Sequence, residues 1–196
     1  MRALFHLVRH GSYALLDHAP GGRADYPLSS QGRDEAGNIA AWLAGRGPRA
    51  LVSSPTRRAI ETAAPIAQRL NLAIEVDPAF VEIDFADWTG KRFEDLHSDP
   101  GWRAWNGFRS TAGVPGGETM LGVQARAVAG LLRHAAKHND AEVVVVSHAD
   151  VIKGVLAHFL GTPLDLLQRI EIGPGSISQL MLYAAEAKVL AVNFHP

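Results

Sequence analysis

Two stretches of this sequence end in the same way. Leu7-Val8-Arg9-His10-Gly11 and Val145-Val146-Ser147-His148-Ala149 each run from apolar residues straight into a histidine followed by a small residue. Imidazole titrates near neutrality and serves as nucleophile, base or anion ligand. A single histidine is most often surface or filling, but two at equivalent strand ends point to a shared site. A third stretch, Ser53-Ser54-Pro55-Thr56-Arg57-Arg58-Ala59, places two arginines in the first turn of a helix. Cations there oppose the helix macrodipole, which suggests an anionic ligand. Free amides at a helix N-terminus bind phosphate, and a guanidinium adds a fork shaped for its oxygens.

Composition narrows the class. The chain has 196 residues, enough to bury a core without disulfides or metals, and one domain spanning 1–196 is expected. Lys plus Arg (19) nearly balance Asp plus Glu (20), so no broad basic face is expected for nucleic acid or anionic lipid, and any anion site must be local. Cysteine is absent, which excludes a disulfide framework, a thiolate nucleophile and thiolate zinc sites, and fits a reducing cytoplasm. The apolar run at the N-terminus is broken by His6 and Arg9 and is too short for a signal-peptide core. No run approaches the ~18 apolar residues of a membrane span. Cytoplasmic residence is the expectation.

The elements that must position these residues alternate along the chain. Apolar runs predict strands over 4–8, 50–54, 72–76 and 143–146, and a final pair over 177–183 and 188–194 that forms a hairpin. Helices are predicted from Ser29 or Ser30 to Leu43, from Pro55 to about Leu70 with Pro65 inside, over 118–138, and over 152–160. Residues 12–29 read as a loop. The stretch from 77 to 117 reads as irregular, with one or two short helices. The class is α/β: a three-layer α/β/α sandwich with a mostly parallel central sheet. In such sheets ligands bind beyond the carboxyl ends of the strands, where both histidines fall.

In these blocks the chain resembles the histidine phosphatase superfamily, on the phosphoglycerate mutase-like branch. Arg9-His10-Gly11 matches the signature that holds the family's nucleophilic histidine. Ser53 to Ala63 resembles the block whose arginine directly precedes alanine, which selects Arg58 over Arg57. Glu82, in Glu82-Ile83-Asp84-Phe85-Ala86-Asp87-Trp88-Thr89-Gly90, falls where the family keeps its proton-donating acid, with Asp84 as the fallback. Ser147-His148 matches the second histidine block. Pro27-Leu28-Ser29-Ser30-Gln31-Gly32 and Pro115-Gly116-Gly117-Glu118 are similar to family turns. Two departures stand out. Ser12 to Leu16 replaces the acidic and Asn-containing continuation usual in the mutases, which favours a phosphatase over a mutase, and Ala86 replaces a common glycine.

The resemblance implies a mechanism. His10 attacks phosphorus and forms a phosphohistidine, Arg9, Arg58, His148 and the Ala149 amide grip the phosphoryl oxygens with Ser12 as a further substrate contact, and Glu82 protonates the leaving group. No metal or cofactor is called for. The substrate is a small phosphorylated metabolite, with no nucleic acid or membrane partner, and a homodimer is the assembly often met in small enzymes of this kind. Residues 88–117, with Trp88, Trp102, Trp105, Phe108, Arg103 and Arg109, form a substrate-side lid or else core, and Trp88 is assigned to core. Tyr13, His18, Arg23 and Lys153 are weaker substrate-side candidates. Three rivals remain: a mutase that returns the phosphoryl group to its substrate, a metallohydrolase using His10, His148, Glu82 and Asp150 as ligands, and a binding module that keeps phosphate affinity without turnover, against which the presence of both His10 and Glu82 weighs. His97, His134, His138, His158 and His195 receive no role.

Overall fold

In the computed structural model, which describes residues 2–196, one six-stranded sheet carries the fold. Its strands are β1 (Arg2–Arg9), β2 (Ala50–Ser53), β3 (Ile74–Val76), β4 (Ala141–Ser147), β5 (Ile177–Tyr183) and β6 (Ala187–Phe194), in the order β3-β2-β4-β1-β5-β6. β3, β2, β4 and β1 pair in parallel, while β5 runs antiparallel to both β1 and β6. The helices are α1 (Ser30–Ala44), α2 (Arg57–Leu70), the short α3 (Phe93–Leu96) and α4 (Pro100–Gly107), α5 (Met120–Lys137) and α6 (Ala149–Leu160).

Side-chain alternation along β4 shows why there are three layers. Val144 and Val146 pack with Ile39, Leu43, Ala59, Ala63 and Ile66 of α1 and α2. Val143 and Val145 join Val123, Ala127 and Leu131 of α5 and Val155 and Leu156 of α6. A continuous valine run buried on both faces is therefore required, and each fully buried valine contributes about 1.5–3 kcal/mol. Among the described strands only β6, on the sheet's edge, alternates between half-buried and exposed residues.

The expected α/β sandwich and final hairpin are present, and several boundaries differ. Ser29 caps α1 by accepting the Gly32 amide, as its position suggested. α2 begins at Arg57 rather than Pro55, because Ser54 is still tied to the sheet through its amide to the Val146 carbonyl and Thr56 is the extended cap residue. α6 begins three residues before the expected 152: Ala149 and Asp150 line the site, while Val151 is already buried in the core. The expected strand over 72–76 is confined to Ile74–Val76. A 3-10 stretch over Leu164–Arg169 was not foreseen. Ala86, where the resemblance leads one to expect glycine, adopts a φ of 42°, in the left-handed region that disfavours a Cβ.

Candidate active site

Parallel pairing of β1 with β4 puts Arg9 opposite Ser147, so His10 and His148 emerge side by side beyond the carboxyl ends of adjacent strands. Their ring centroids lie 5.0 Å apart, edge to face. Gly11 follows His10 because the chain there runs against the backbone of Gly32, and a Cβ at either glycine would collide with the other segment's backbone.

The ring of His10 has a defined tautomer. Its Nδ1 lies 2.8 Å from the Gly11 carbonyl oxygen, which can only accept, so Nδ1 carries the proton and Nε2 keeps its lone pair. Arg58 Nε donates to that lone pair at 3.1 Å. Burial first, then the charges of Arg58 and Arg9, push the pKa of His10 well below the ordinary imidazole range. Nε2 of a neutral His10 ring is thus free of a proton near pH 7. His148 is arranged the other way round: Arg58 Nη2 approaches its Nδ1 at 3.2 Å, leaving Nε2 to donate to Ser54 Oγ at 2.8 Å.

Arg58 reaches this position from the first turn of α2 and is 1% exposed. Its Nη1 and Nη2 donate to the carbonyls of Ala24 and Gly22 at 3.0 and 2.6 Å, so the loop before α1 fixes the guanidinium. Arg57, its neighbour, points outward to Glu61. Arg9 is anchored by one nitrogen, Nη1 on the Ile172 carbonyl at 2.6 Å, while its buried Nε has no protein partner. Two fixed cations therefore face one concave site, the arrangement that binds an oxyanion without a metal. Arg58 also occupies the space between the two imidazoles where a metal bridging His10 and His148 would have to sit, which disfavours the metallohydrolase ligand set.

Glu82 comes from the loop after β3 and faces the same space, with Oε2 3.8 Å from His148 Nδ1 and Oε1 accepting the Ile83 amide at 3.0 Å. Burial, then the nearby charge of Asp150, raises its pKa to about 7 against the opposing pull of Arg58 and Arg9. A carboxyl group that holds its proton near neutrality is suited to acid catalysis. Asp84, the fallback acid, is engaged with Arg23 at 3.4 Å and with the Ala86 amide, and does not line the cleft.

The cleft around these groups measures about 260 Å³, and Arg9, His10, Arg58, Glu82 and Ala149 all line it. Ala149 stands at the start of α6, where the first amides have no partner within the helix. Ser12 was expected as a substrate contact, but it is turned away. Its Oγ and amide both donate to the Glu35 carboxylate, at 2.9 and 2.7 Å, because the Gly11–Gly32 approach brings α1 against residue 12. Trp88 and Trp105 are core residues, Trp102 is buried yet reaches the cleft, and Phe108 is exposed. Of the weaker candidates, Tyr13 lines the cleft, whereas His18, Arg23 and Lys153 do not. Sequence reasoning placed Arg109 in the candidate lid without its partner, and missed Gln168 altogether. Arg109, 3% exposed, forms an ion pair with Asp150 at 3.0 Å, and Gln168 closes the far side from the 3-10 stretch. The arginine was visible only as part of an aromatic-rich segment, and the glutamine gave no signal.

Comparison with known proteins agrees with this geometry. The family model for the histidine phosphatase superfamily (branch 1) matches residues 5–195. A bifunctional protein of Mycobacterium tuberculosis is 36% identical over 182 residues, 91% of this chain and 50% of its own length. The chain thus spans about half the length of the first curated relatives it matches. A glucosyl-3-phosphoglycerate phosphatase of the same organism is 34% identical over 172 residues, covering 81% of this chain and 75% of its own. A solved structure from Bacillus stearothermophilus superposes with a TM-score of 0.91 at 26% identity, covering 96% of each chain. Together with the paired histidines at the strand ends, the match over nearly all of the sequence establishes that this chain belongs to branch 1 of the histidine phosphatase superfamily.

Proposed function

We propose that this protein is a metal-independent phosphatase that hydrolyses a small phosphomonoester through a phosphohistidine at His10. The observation that carries the reading is the fixed tautomer of His10: a neutral ring whose Nε2 lone pair faces the guanidinium of Arg58, in a cleft shared with a carboxyl of raised pKa. The dianionic phosphoryl group replaces His10 as the partner of Arg58 and takes the free donor of Arg9 and the Ala149 amide. With the contact from Arg58 to His148 released, the His148 proton shifts to Nδ1 to donate to a phosphoryl oxygen while Nε2 accepts from Ser54 Oγ. In-line attack then forms the Nε2–P bond as the P–O ester bond breaks, and Glu82 gives its proton to the departing alkoxide. In the second half the Glu82 carboxylate takes a proton from water, whose oxygen displaces Nε2 and releases inorganic phosphate. Positioning and charge supply most of the acceleration, so no metal is required.

The cleft sits just below the usual range for small-molecule sites, about 300–1,000 Å³, which suits a small metabolite better than a macromolecule. Phe93, Trp102, Asn106 and Arg109 line it, and in this reading residues 88–117 form the specificity wall around the organic part of the substrate. Relatives named as glucosyl-3-phosphoglycerate phosphatases support hydrolysis over the mutase alternative. No helix among the described residues is long and apolar enough to cross a membrane. A single domain, cytoplasmic residence, a homodimer and the absence of a nucleic-acid partner belong to the same proposal.

The test is p-nitrophenyl phosphate hydrolysis in excess chelator, with His10→Ala alongside. Turnover that persists in chelator and drops by about 10⁴–10⁶ in the variant is expected. Activity abolished by chelator, or retained after removal of His10, overturns the mechanism.

A further inference from the structure

Away from the cleft, the last turn of α5 carries His134 and the residue that caps the helix is His138, four positions on; their rings stack with centroids 6.1 Å apart. Across from them lies Glu75 of β3. Each of the three residues offers a ligand atom, and these atoms all lie within 4.8 Å of one another. None of the three lines the catalytic cleft.

The two rings hold unused lone pairs. His134 is only 4% exposed, and its Nε2 lies 3.0 Å from Asp77 Oδ2. A carboxylate accepts, so in the neutral ring the proton is on Nε2 and Nδ1 carries the lone pair. That Nδ1 is buried and has no hydrogen-bond partner. Nε2 of His138 is likewise buried and unpartnered. Leaving two buried imidazole nitrogens without a partner is costly, and such atoms call for an explanation.

We propose that Glu75, His134 and His138 form a binding site for a divalent late first-row transition metal, zinc(II) in the first instance, that ties the edge strand β3 to the end of α5. Two imidazole nitrogens and one carboxylate oxygen are an ordinary ligand set for this ion, with a water as the fourth ligand. Histidines four residues apart on a helix share one face and bind one metal. Asp77 supplies the outer carboxylate that fixes the tautomer of a ligating histidine, through the His134 Nε2–H bond. It is itself held in place by the Ala79 amide and by Arg133. In a tetrahedral site with bonds of about 2.0–2.1 Å, ligand atoms lie roughly 3.4 Å apart. The observed spacing therefore has to close by at most little more than an ångström, which the exposed Glu75 side chain supplies toward the rings and the partly exposed His138 ring supplies toward His134. Lys137 Nζ now donates to Glu75 at 2.6 Å, but both side chains are about half exposed, so the lysine moves into water at small cost when a dication takes its place. The metal acts as a clasp: β3 is only three residues long and holds the sheet's outer edge.

The experiment is calorimetric titration of the full chain with zinc chloride in phosphate-free buffer, repeated with His138→Ala and with Glu75→Gln. Both substituted side chains are at least partly exposed, so the variants should fold. One high-affinity zinc is expected in the unsubstituted protein, with affinity about 100-fold or more weaker in His138→Ala, since outer partners alone are worth up to that factor. At roughly 100 times its dissociation constant, zinc should raise Tm by about 5–10 °C in the unsubstituted chain only. Cobalt(II) should give the intense visible absorption of a tetrahedral site, lost with His138. Turnover of p-nitrophenyl phosphate without metal should match in all three proteins, which keeps this site separate from the reaction proposed above. Equal zinc affinity with and without His138, or no site tighter than a weak surface contact, overturns the proposal.

Discussion

Two histidine pairs lie in this molecule, and the same ring is prepared for opposite partners. At the strand ends, His10 gives its Nδ1 proton to a carbonyl and turns the Nε2 lone pair toward Arg58. At the end of α5, His134 gives its Nε2 proton to Asp77 and keeps an unpartnered Nδ1, and the residue clusters with His138 and Glu75. In each case an acceptor fixes the tautomer and leaves a lone pair. What differs is the charge facing that lone pair. In the proposed functions, two guanidiniums would collect a phosphate whose electrophilic phosphorus the nitrogen attacks, whereas a carboxylate would collect a cation. Burial alone does not decide chemistry here, because His10 and His134 are both nearly inaccessible.

The largest expected effect beyond loss of His10 itself comes from Glu82→Gln, which removes the proton donor and leaves the cations untouched. For an alkyl phosphomonoester, kcat/KM should fall by about 10²–10⁴. For p-nitrophenyl phosphate, whose leaving group needs little protonation, the loss should be smaller. The pH profile gives the sharper reading. Glu82 must be protonated to act as the acid, so kcat/KM in the unsubstituted enzyme should decline as pH rises through about 7. His10 must be neutral, and because its pKa is depressed the acid-side decline should fall well below the ordinary imidazole value. Glu82→Gln should erase the upper limb and spare the lower one. If the upper limb persists, the acid is another group, and Asp150 is the carboxylate next to it.

Arg58→Lys asks whether the anion site depends on charge or on shape. The charge is kept, but the guanidinium's bonds to His10, His148, Ala24 and Gly22 cannot all be made by one ammonium. Turnover should drop by about 10²–10³, the cost of removing a well-placed electrostatic donor. A variant with nearly full activity would mean that net charge alone collects the substrate.

Much of the first pair was legible in the sequence and much of the second was not, for a physical reason. His10 and His148 each follow a buried apolar run, so the strand that places them announces itself. Arg58 and Arg57 are equivalent by spacing, and only the family resemblance separated them; the structure buries the first and leaves the second with Glu61. Glu82 sits in a loop without a periodic pattern and was likewise reached by resemblance. Arg109 and Asp150 pair across 41 residues, and nothing local to either records the partner. Ser12 was misread because its neighbour Gly11 packs on Gly32, a backbone contact that residue type does not advertise. His134 and His138 carried a visible signal, four-residue spacing on a helix, but the carboxylates that give the pair meaning come from β3 and its end, far away in sequence.

The smallest of these effects separates an outer carboxylate from a ligand. Asp77 is partly buried, which raises a carboxyl pKa, yet the Ala79 amide, His134 and Arg133 outweigh this and hold it below the ordinary range. It is therefore ionised at neutral pH, and any stability it contributes is present above the unfolded-state value and lost only as pH falls through the lowered one. Asp77→Asn keeps the shape but lets an amide N–H face His134 Nε2, which favours the other tautomer and puts a proton on Nδ1, the atom offered to zinc. Zinc affinity should fall by about 10–100-fold, less than with His138→Ala, while the metal-free phosphatase rate stays unchanged. An affinity that does not move would mean that His134 binds through another orientation or not at all. The likeness between the two pairs would then end at their residue type.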